Sequence, residues 1–149
     1  MLLENLLISG GLVILTSMVH FLGLTWLSSF MTSGDKPQNT VLSVTAQGLS
    51  ILFVVLMLFV FHAFEVWIYA CLYLFLGVFT EVEEALYFSA STFTTVGFGD
   101  LVLNSDWRML AAWESMNGFL LIGWSTAFLV SVTSRVRAFE ANVDRLDEE

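Results

Sequence analysis

Thr94-Thr95-Val96-Gly97-Phe98-Gly99-Asp100 is the stretch on which the reading of this chain turns. Two glycines alternate there with two bulky apolar residues, flanked by hydroxyls and a carboxyl. A phosphate-cradling loop also uses Gly-x-Gly, but here no third Gly and no Lys-Ser/Thr pair follows. The remaining chemistry is cation coordination by the backbone itself. A dehydrated cation needs several oxygens in place of its water shell. Successive carbonyls supply them when they turn to the same side, which requires positive φ at alternate positions, and Gly adopts that at little cost. Gly97 and Gly99 have the spacing, the Thr95 hydroxyl adds an oxygen, and Val96 and Phe98 are left to pack the loop from behind. One loop offers one side of a cage, so several copies must meet on an axis.

The flanking segments place this loop at membrane depth. Ala85–Thr94 reads as a helix too short to span, its C-terminal carbonyls aimed at the loop, where their partial negative charge favours a cation. After the loop, Asn104-Ser105-Asp106 is a helix-start signal. Trp107–Ser134 is then a span interrupted only by Glu114 and Asn117. Upstream, 80–84 is an acidic connector. Val41–Phe79 holds only His62 and Glu65 as ionisable groups. As one helix it would run about 58 Å, roughly twice the hydrocarbon thickness. Ser43, Thr45, Gln47, Gly48 and Ser50 set its first ten residues apart, and no Pro or Gly lies between Ile51 and Leu76. The reading is an interfacial segment over 41–50 and one long tilted span over 51–79, with a hairpin turning at His62–Glu65 as the alternative. Asn5–Met31 is a further span. It is too long for a signal-peptide core, and no basic residue precedes it. Ser9, Thr16, His20 and Gly23 form a small-and-polar stripe on it that should face protein, with His20 as an interhelical donor. Residues 32–40, holding Gly34 and Pro37, are a loop. Irregular backbone between spans is tolerated only where it is buried in protein or lines a water-filled path.

Composition agrees with a membrane setting. Hydrophobic residues make up 57% of the 149. Charged residues make up 13%, about half the usual ~25% of a soluble domain. A globule of this size buries only about 60–70% of the surface its unfolded chain exposes, so lipid must cover the rest. A net charge of −9 argues against nucleic acid and against a polybasic surface anchor. Cys71 is the sole cysteine, which excludes an internal disulfide and a Cys-rich metal site.

The run Ala85-Leu-Tyr-Phe-Ser-Ala-Ser-Thr-Phe-Thr-Thr-Val-Gly-Phe-Gly-Asp100 resembles the pore helix and selectivity filter of tetrameric potassium channels, a pore-loop family whose four loops line a K⁺ path. The likeness covers roughly residues 51–134 and leaves out 1–50. It implies an all-α membrane protein with a potassium-channel-like pore module: outer helix about 51–79, pore helix about 85–94, filter 95–100 and inner helix about 107–134. An extra N-terminal transmembrane helix and its loop occupy 1–40, and 135–149 is a cytoplasmic tail. The resemblance also implies that Thr95, Val96, Gly97 and Phe98 supply K⁺-coordinating oxygens, that Gly99 completes the filter, and that Gly99 and Asp100 form the outer mouth. Thr94, Tyr87 and Ser91 are the expected supports behind it. K⁺ is the permeant ligand, no other cofactor is expected, and the chain is not an enzyme. The partners implied are three further copies in a homotetramer and the lipid bilayer, with multi-pass insertion in the cell membrane.

The chain departs from the family pattern in its filter support. Many members carry a Trp pair where Tyr87 and Phe88 stand, and some carry a Glu where Ser91 stands. Phe98 lacks the hydroxyl of the commoner Tyr. Fewer side-chain bonds should therefore back the filter, which predicts collapse or inactivation at low K⁺.

Outside the filter, Glu81, Glu83, Glu84, Asp100 and Asp106 flank the expected mouth against Arg108 alone. That is about −4 per chain and roughly −16 around four copies, a field that concentrates cations. Gly118 stands where the family's inner helix carries a hinge glycine, and close packing would account for it equally well. Phe119, Ile122, Thr126 and Val130 have the spacing to line an inner cavity. Glu114 with Asn117, and His62 with Glu65, pair on helix faces and form a candidate intramembrane network, either pH-sensitive or interhelical glue. Val132, Val136, Phe139, Val143 and Leu146 fit an a/d pattern for a small bundle or an amphipathic tail. Arg135 and Arg137 should be cytoplasmic, which puts the mouth and N-terminus outside and the 32–40 loop with Lys36 inside. No span carries an Arg/Lys ladder, and fifteen residues after Ser134 leave no room for a ligand-binding domain. A weakly selective cation channel and a non-conducting subunit of a larger assembly are the alternative functions.

Overall fold

In this computed structural model the described backbone covers residues 2–32 and 40–147, and the described side chains are those of 3–31 and 48–134. These residues form four helices and no strand: α1 (Leu2–Thr32), α2 (Thr40–Phe75), α3 (Val82–Phe93) and α4 (Arg108–Asp147). Three segments are long and apolar enough to cross a membrane: Leu3–Met31, Gly48–Phe75 and Arg108–Ser134. At 12 residues α3 is about 18 Å long, too short to cross. The fold is an all-α membrane protein with a pore module, α2-α3-α4, and an extra N-terminal helix.

α2 is one uninterrupted helix of 36 residues, so there is no hairpin at His62–Glu65. The apolar run beyond it gives no helix up to residue 79, because Gly77 ends the helix. Gly77 stands at φ 67°. Its N–H bonds to the Leu74 carbonyl at 3.1 Å, and the Val78 N–H reaches the Tyr73 carbonyl at 3.0 Å. That pair of bonds is a Schellman cap, which needs a left-handed residue where Gly77 sits. The polar stretch 41–50 joins the same helix rather than forming a separate segment. α4 likewise runs past Ser134 to Asp147, about 60 Å in all. The tail residues Val136, Phe139, Val143 and Leu146, the cationic Arg135 and Arg137, and the loop residues Gly34, Lys36 and Pro37 have side chains outside the described residues.

α3 lies against both α2 and α4, and α1 packs on α2 and α4. One apolar core joins the halves of the helices nearest α3, around Tyr69, Tyr73, Phe88, Phe93, Leu110 and Leu121. A second joins the other end around Leu24, Leu27, Val54, Leu58 and Val132. The stripe on α1 faces protein: Ser9, Thr16 and His20 are fully buried. A Cβ at Gly23 would meet the Phe61 ring at 2.9 Å. Large apolar side chains cover much of the outside, Phe59 and Phe75 among them, as lipid or further copies of the chain require. Cys71 is exposed on α2.

Candidate functional site

The loop 94–100 begins where α3 stops. Thr94 closes the helix by donating its hydroxyl to the Ala90 carbonyl at 2.7 Å. The next residues then alternate in hand: Thr95, Gly97 and Gly99 stand at φ 61°, 55° and 81°. Thr95 is the only non-Gly residue in this region among those described. A β-branched side chain there costs about 1–2 kcal/mol, so the surrounding bonds must hold it. They are few and specific. The Thr95 N–H reaches the Thr92 carbonyl at 3.0 Å, and the Gly97 N–H reaches the Ser91 carbonyl at 3.1 Å. The Phe98 N–H donates to the Ser91 hydroxyl at 3.3 Å.

Tyr87 supports the far end of the loop. Its hydroxyl donates to Asp100 Oδ2 at 2.9 Å, while Asp100 Oδ1 accepts from the Leu101 N–H at 3.1 Å. The Tyr87 and Phe98 rings stack at 6.1 Å, nearly parallel. The hydrogen bond to the Asp100 carboxylate pushes the Tyr87 phenol above its usual range, because ionising it would give up that bond and set two negative charges side by side. Within one chain the loop is open. Val96 is 56% exposed and Phe98 69%. Tyr87 and Ser91 thus both touch the loop.

α4 is built to pass close behind it. A Cβ at Gly118 would stand 2.0 Å from the Phe93 carbonyl oxygen, so only Gly fits. Ser115 donates to the Thr92 carbonyl at 2.9 Å, satisfying an acceptor at the end of α3. Along the outward side of α4, Phe119, Thr126 and Val130 are exposed, whereas Ile122 is half-buried against the core. Thr126 turns its hydroxyl back to the Ile122 carbonyl at 2.9 Å.

The four intramembrane polar residues singled out in the sequence fall into three separate clusters. Glu114 accepts from Tyr73 at 2.6 Å and from Ser89 at 2.5 Å, which ties α2, α3 and α4 together. Asn117 donates to Thr16 at 2.7 Å and to Tyr69 at 3.1 Å, which ties α1, α2 and α4. His62 and Glu65 join His20 and Ser125. Glu65 accepts from His20 Nδ1 at 2.8 Å and from His62 Nδ1 at 2.9 Å. Ser125 Oγ lies 3.0 Å from His62 Nε2 and 3.2 Å from His20 Nε2.

Glu81, Glu83, Glu84, Asp100 and Asp106 are all exposed on one rim, with Arg108 beside them. The Arg108 Nε donates to the Leu103 carbonyl at 3.3 Å. The Asn5 amide donates to the Asp106 carbonyl at 2.5 Å, so the N-terminal end of α1 is level with the rim that follows the loop. Ser89, Ser115 and Ser125 escaped the sequence reading, because an isolated Ser in an apolar helix carries no signal until its neighbour is known. Tyr69 and Tyr73 escaped it because both read as ordinary apolar filling.

The family described as "Ion channel" matches residues 51–135, more than half of the chain and the stretch from α2 to the start of the tail. No curated protein and no solved structure shows significant similarity to the chain.

Proposed function

The chain belongs to the two-helix, pore-loop ion channel family, and from that premise we propose that it is a potassium-selective channel in which four copies close around one K⁺ path. The observation that carries this reading is the alternation of left-handed residues at Thr95, Gly97 and Gly99, immediately after a helix that cannot cross a membrane. Alternating hand turns successive carbonyls to one side, and four such loops make stacked rings of oxygens. Thr95, Val96, Gly97 and Phe98 supply those oxygens to K⁺, and Gly99 completes the filter. Asp100, held by Tyr87, forms the mouth, with Thr94 and Ser91 fixing the base of the loop. Val96 and Phe98, uncovered in one chain, are packed by the neighbouring copies.

Conduction on this reading is passive. Ions shed water at the mouth, pass in file between carbonyl rings, and leave by mutual repulsion. No cofactor other than the permeant ion and no enzymatic step is needed. Phe119, Thr126 and Val130 line the cavity below the filter, with Ile122 at its edge. Gly118 holds α4 against the pore helix, and any hinge there works against that contact. Glu114 and Asn117 join helices around the pore. The setting is the cell membrane, with the acidic rim and N-terminus outside.

The test is flux from the purified chain in liposomes, with K⁺ or Na⁺ as the sole cation. Rapid K⁺ efflux that Na⁺ does not match supports the reading. Equal fluxes make it a weakly selective cation channel, and no flux from intact tetramers makes it a non-conducting subunit.

A further inference from the structure

With both imidazoles neutral, the ring at the junction of α1, α2 and α4 is one hydrogen short. Its four contacts run from Glu65 Oε1 to His20 Nδ1, from His20 Nε2 to Ser125 Oγ, from there to His62 Nε2, and from His62 Nδ1 to Glu65 Oε2. Each contact needs one hydrogen. A carboxylate brings none, two neutral imidazoles bring one each, and the hydroxyl brings one. Three hydrogens cannot serve four contacts. His20 and Glu65 are fully buried, so an unmatched pair of lone pairs there is costly.

We propose that this ring is a binding site for one divalent transition-metal ion, with Zn²⁺ as the type, held by Nδ1 of His20, Nδ1 of His62 and the Glu65 carboxylate. Three observations carry it. The ligand atoms all lie within 4.8 Å of one another, and two His with one Glu are a zinc donor set that leaves a fourth position for water. Ligands about 2.0–2.1 Å from a tetrahedral ion stand roughly 3.3 Å apart. The Nδ1-to-oxygen separations of 2.8 and 2.9 Å therefore need to open by only about half an ångström. Finally, metal-bound imidazoles donate their other N–H to a fixed acceptor, and Ser125 already stands at both Nε2 atoms. With the metal in place each imidazole nitrogen has one role: both Nδ1 atoms bind the ion, and both Nε2–H groups donate to the one hydroxyl.

The site shares no residue with the loop 94–100, although the His62 ring lies 5.9 Å from that of Phe93 at the loop's base, and the proposal does not depend on what the loop conducts. His20 is its only ligand from α1, which lies outside the segment shared with the family. Metal occupancy thus decides how firmly the N-terminal helix is fastened to the pore module.

The experiment uses the full chain in lipid nanodiscs with Cys71→Ser, which removes its only thiol. After stripping with a chelator, Co²⁺ is titrated in and its visible absorption followed, with Zn²⁺ as competitor. The expected result is one Co²⁺ per chain, displaced by Zn²⁺, and a higher melting temperature with either metal. His20→Gln and Glu65→Gln abolish the absorption. Ser125→Ala keeps all three ligands and weakens binding by about 10–100-fold. Should a ligand variant fail to fold, uptake by the unsubstituted ring and its weakening in Ser125→Ala still decide. The proposal is overturned if the unsubstituted ring takes up no metal at one per chain, or if uptake is the same in Ser125→Ala. It is equally overturned if mild acid, and no metal, stabilises the protein through His20, since a proton then supplies the missing hydrogen.

Discussion

At position 118 a methyl group would stand 2.0 Å from a backbone oxygen of the pore helix. Backbone cannot move aside as a flexible side chain can, so Gly118→Ala must push α4 off Phe93. Overpacking of a core costs about 1–3 kcal/mol, and this site belongs at the upper end. Thermal unfolding in detergent should show it as a lowered midpoint. Gly123→Ala, with nothing near the added Cβ in its own chain, should leave the midpoint unchanged or raised. The family's spacing marked Gly118 as either a hinge or a point of close packing, and what favours packing is an oxygen 25 residues away that no local pattern reveals.

Tyr87 makes a second prediction at this scale. On the proposed reading, its bond to Asp100 is the side-chain support left to the mouth in place of a pore-helix Glu. Tyr87→Phe should raise the external K⁺ concentration below which currents decay. The raised phenol gives the pH dependence its sign. The bond is fully present below the ordinary tyrosine value of about 10 and is lost only as pH rises through the higher folded value. Decay at low K⁺ should therefore worsen only in strongly alkaline solution in the native chain, and the same worsening should already be seen at neutral pH in Tyr87→Phe.

Among the elements, the backbone of the loop 94–100 was the most legible, because its cause is local: two glycines at alternate positions after a non-spanning helix. Element ends were less so. Apolar residues continue to Phe79, yet α2 stops at Phe75, since one left-handed Gly outweighs the three apolar side chains of Leu76, Val78 and Phe79, which gain nothing from staying helical. Partners across helices were the least legible. His62 and Glu65 were visible as a pair on α2, but His20 and Ser125 join them only through the packing of three helices. The same packing separates Glu114 from Asn117. Asn117→Val should loosen α1, and hydrogen bonds between membrane helices average about 0.6 kcal/mol, with a maximum near 1.7. The expected change is thus a small drop in melting temperature with assembly intact. Glu114→Leu should be harsher, because it strands the buried Tyr73 hydroxyl, at about 1–3 kcal/mol, and leaves Ser89 with the Val66 carbonyl as its acceptor. Glu114→Gln can keep both bonds and should fold, and comparing the two variants by size-exclusion chromatography checks this.

Over the molecule as a whole, the exposed acids among the described side chains gather mainly on the rim beside the loop 94–100. The acids of the mouth rim are exposed, so their effect travels through solvent and is screened by salt. Replacing Glu81, Glu83 and Glu84 together by Gln should lower single-channel conductance at low ionic strength. The difference should vanish near 1 M salt, where the screening length falls to about 3 Å. A deficit that persists in high salt would mean that these side chains shape the mouth rather than charge it. The same rim carries the Asp106 carbonyl that Asn5 holds. With three crossings, the two ends of the chain then fall in different compartments. A reporter joined ahead of α1 shares its compartment with the mouth, and one joined after α4 does not. An impermeant quencher added to sealed vesicles would therefore read the direction in which each channel was inserted, without any current being recorded.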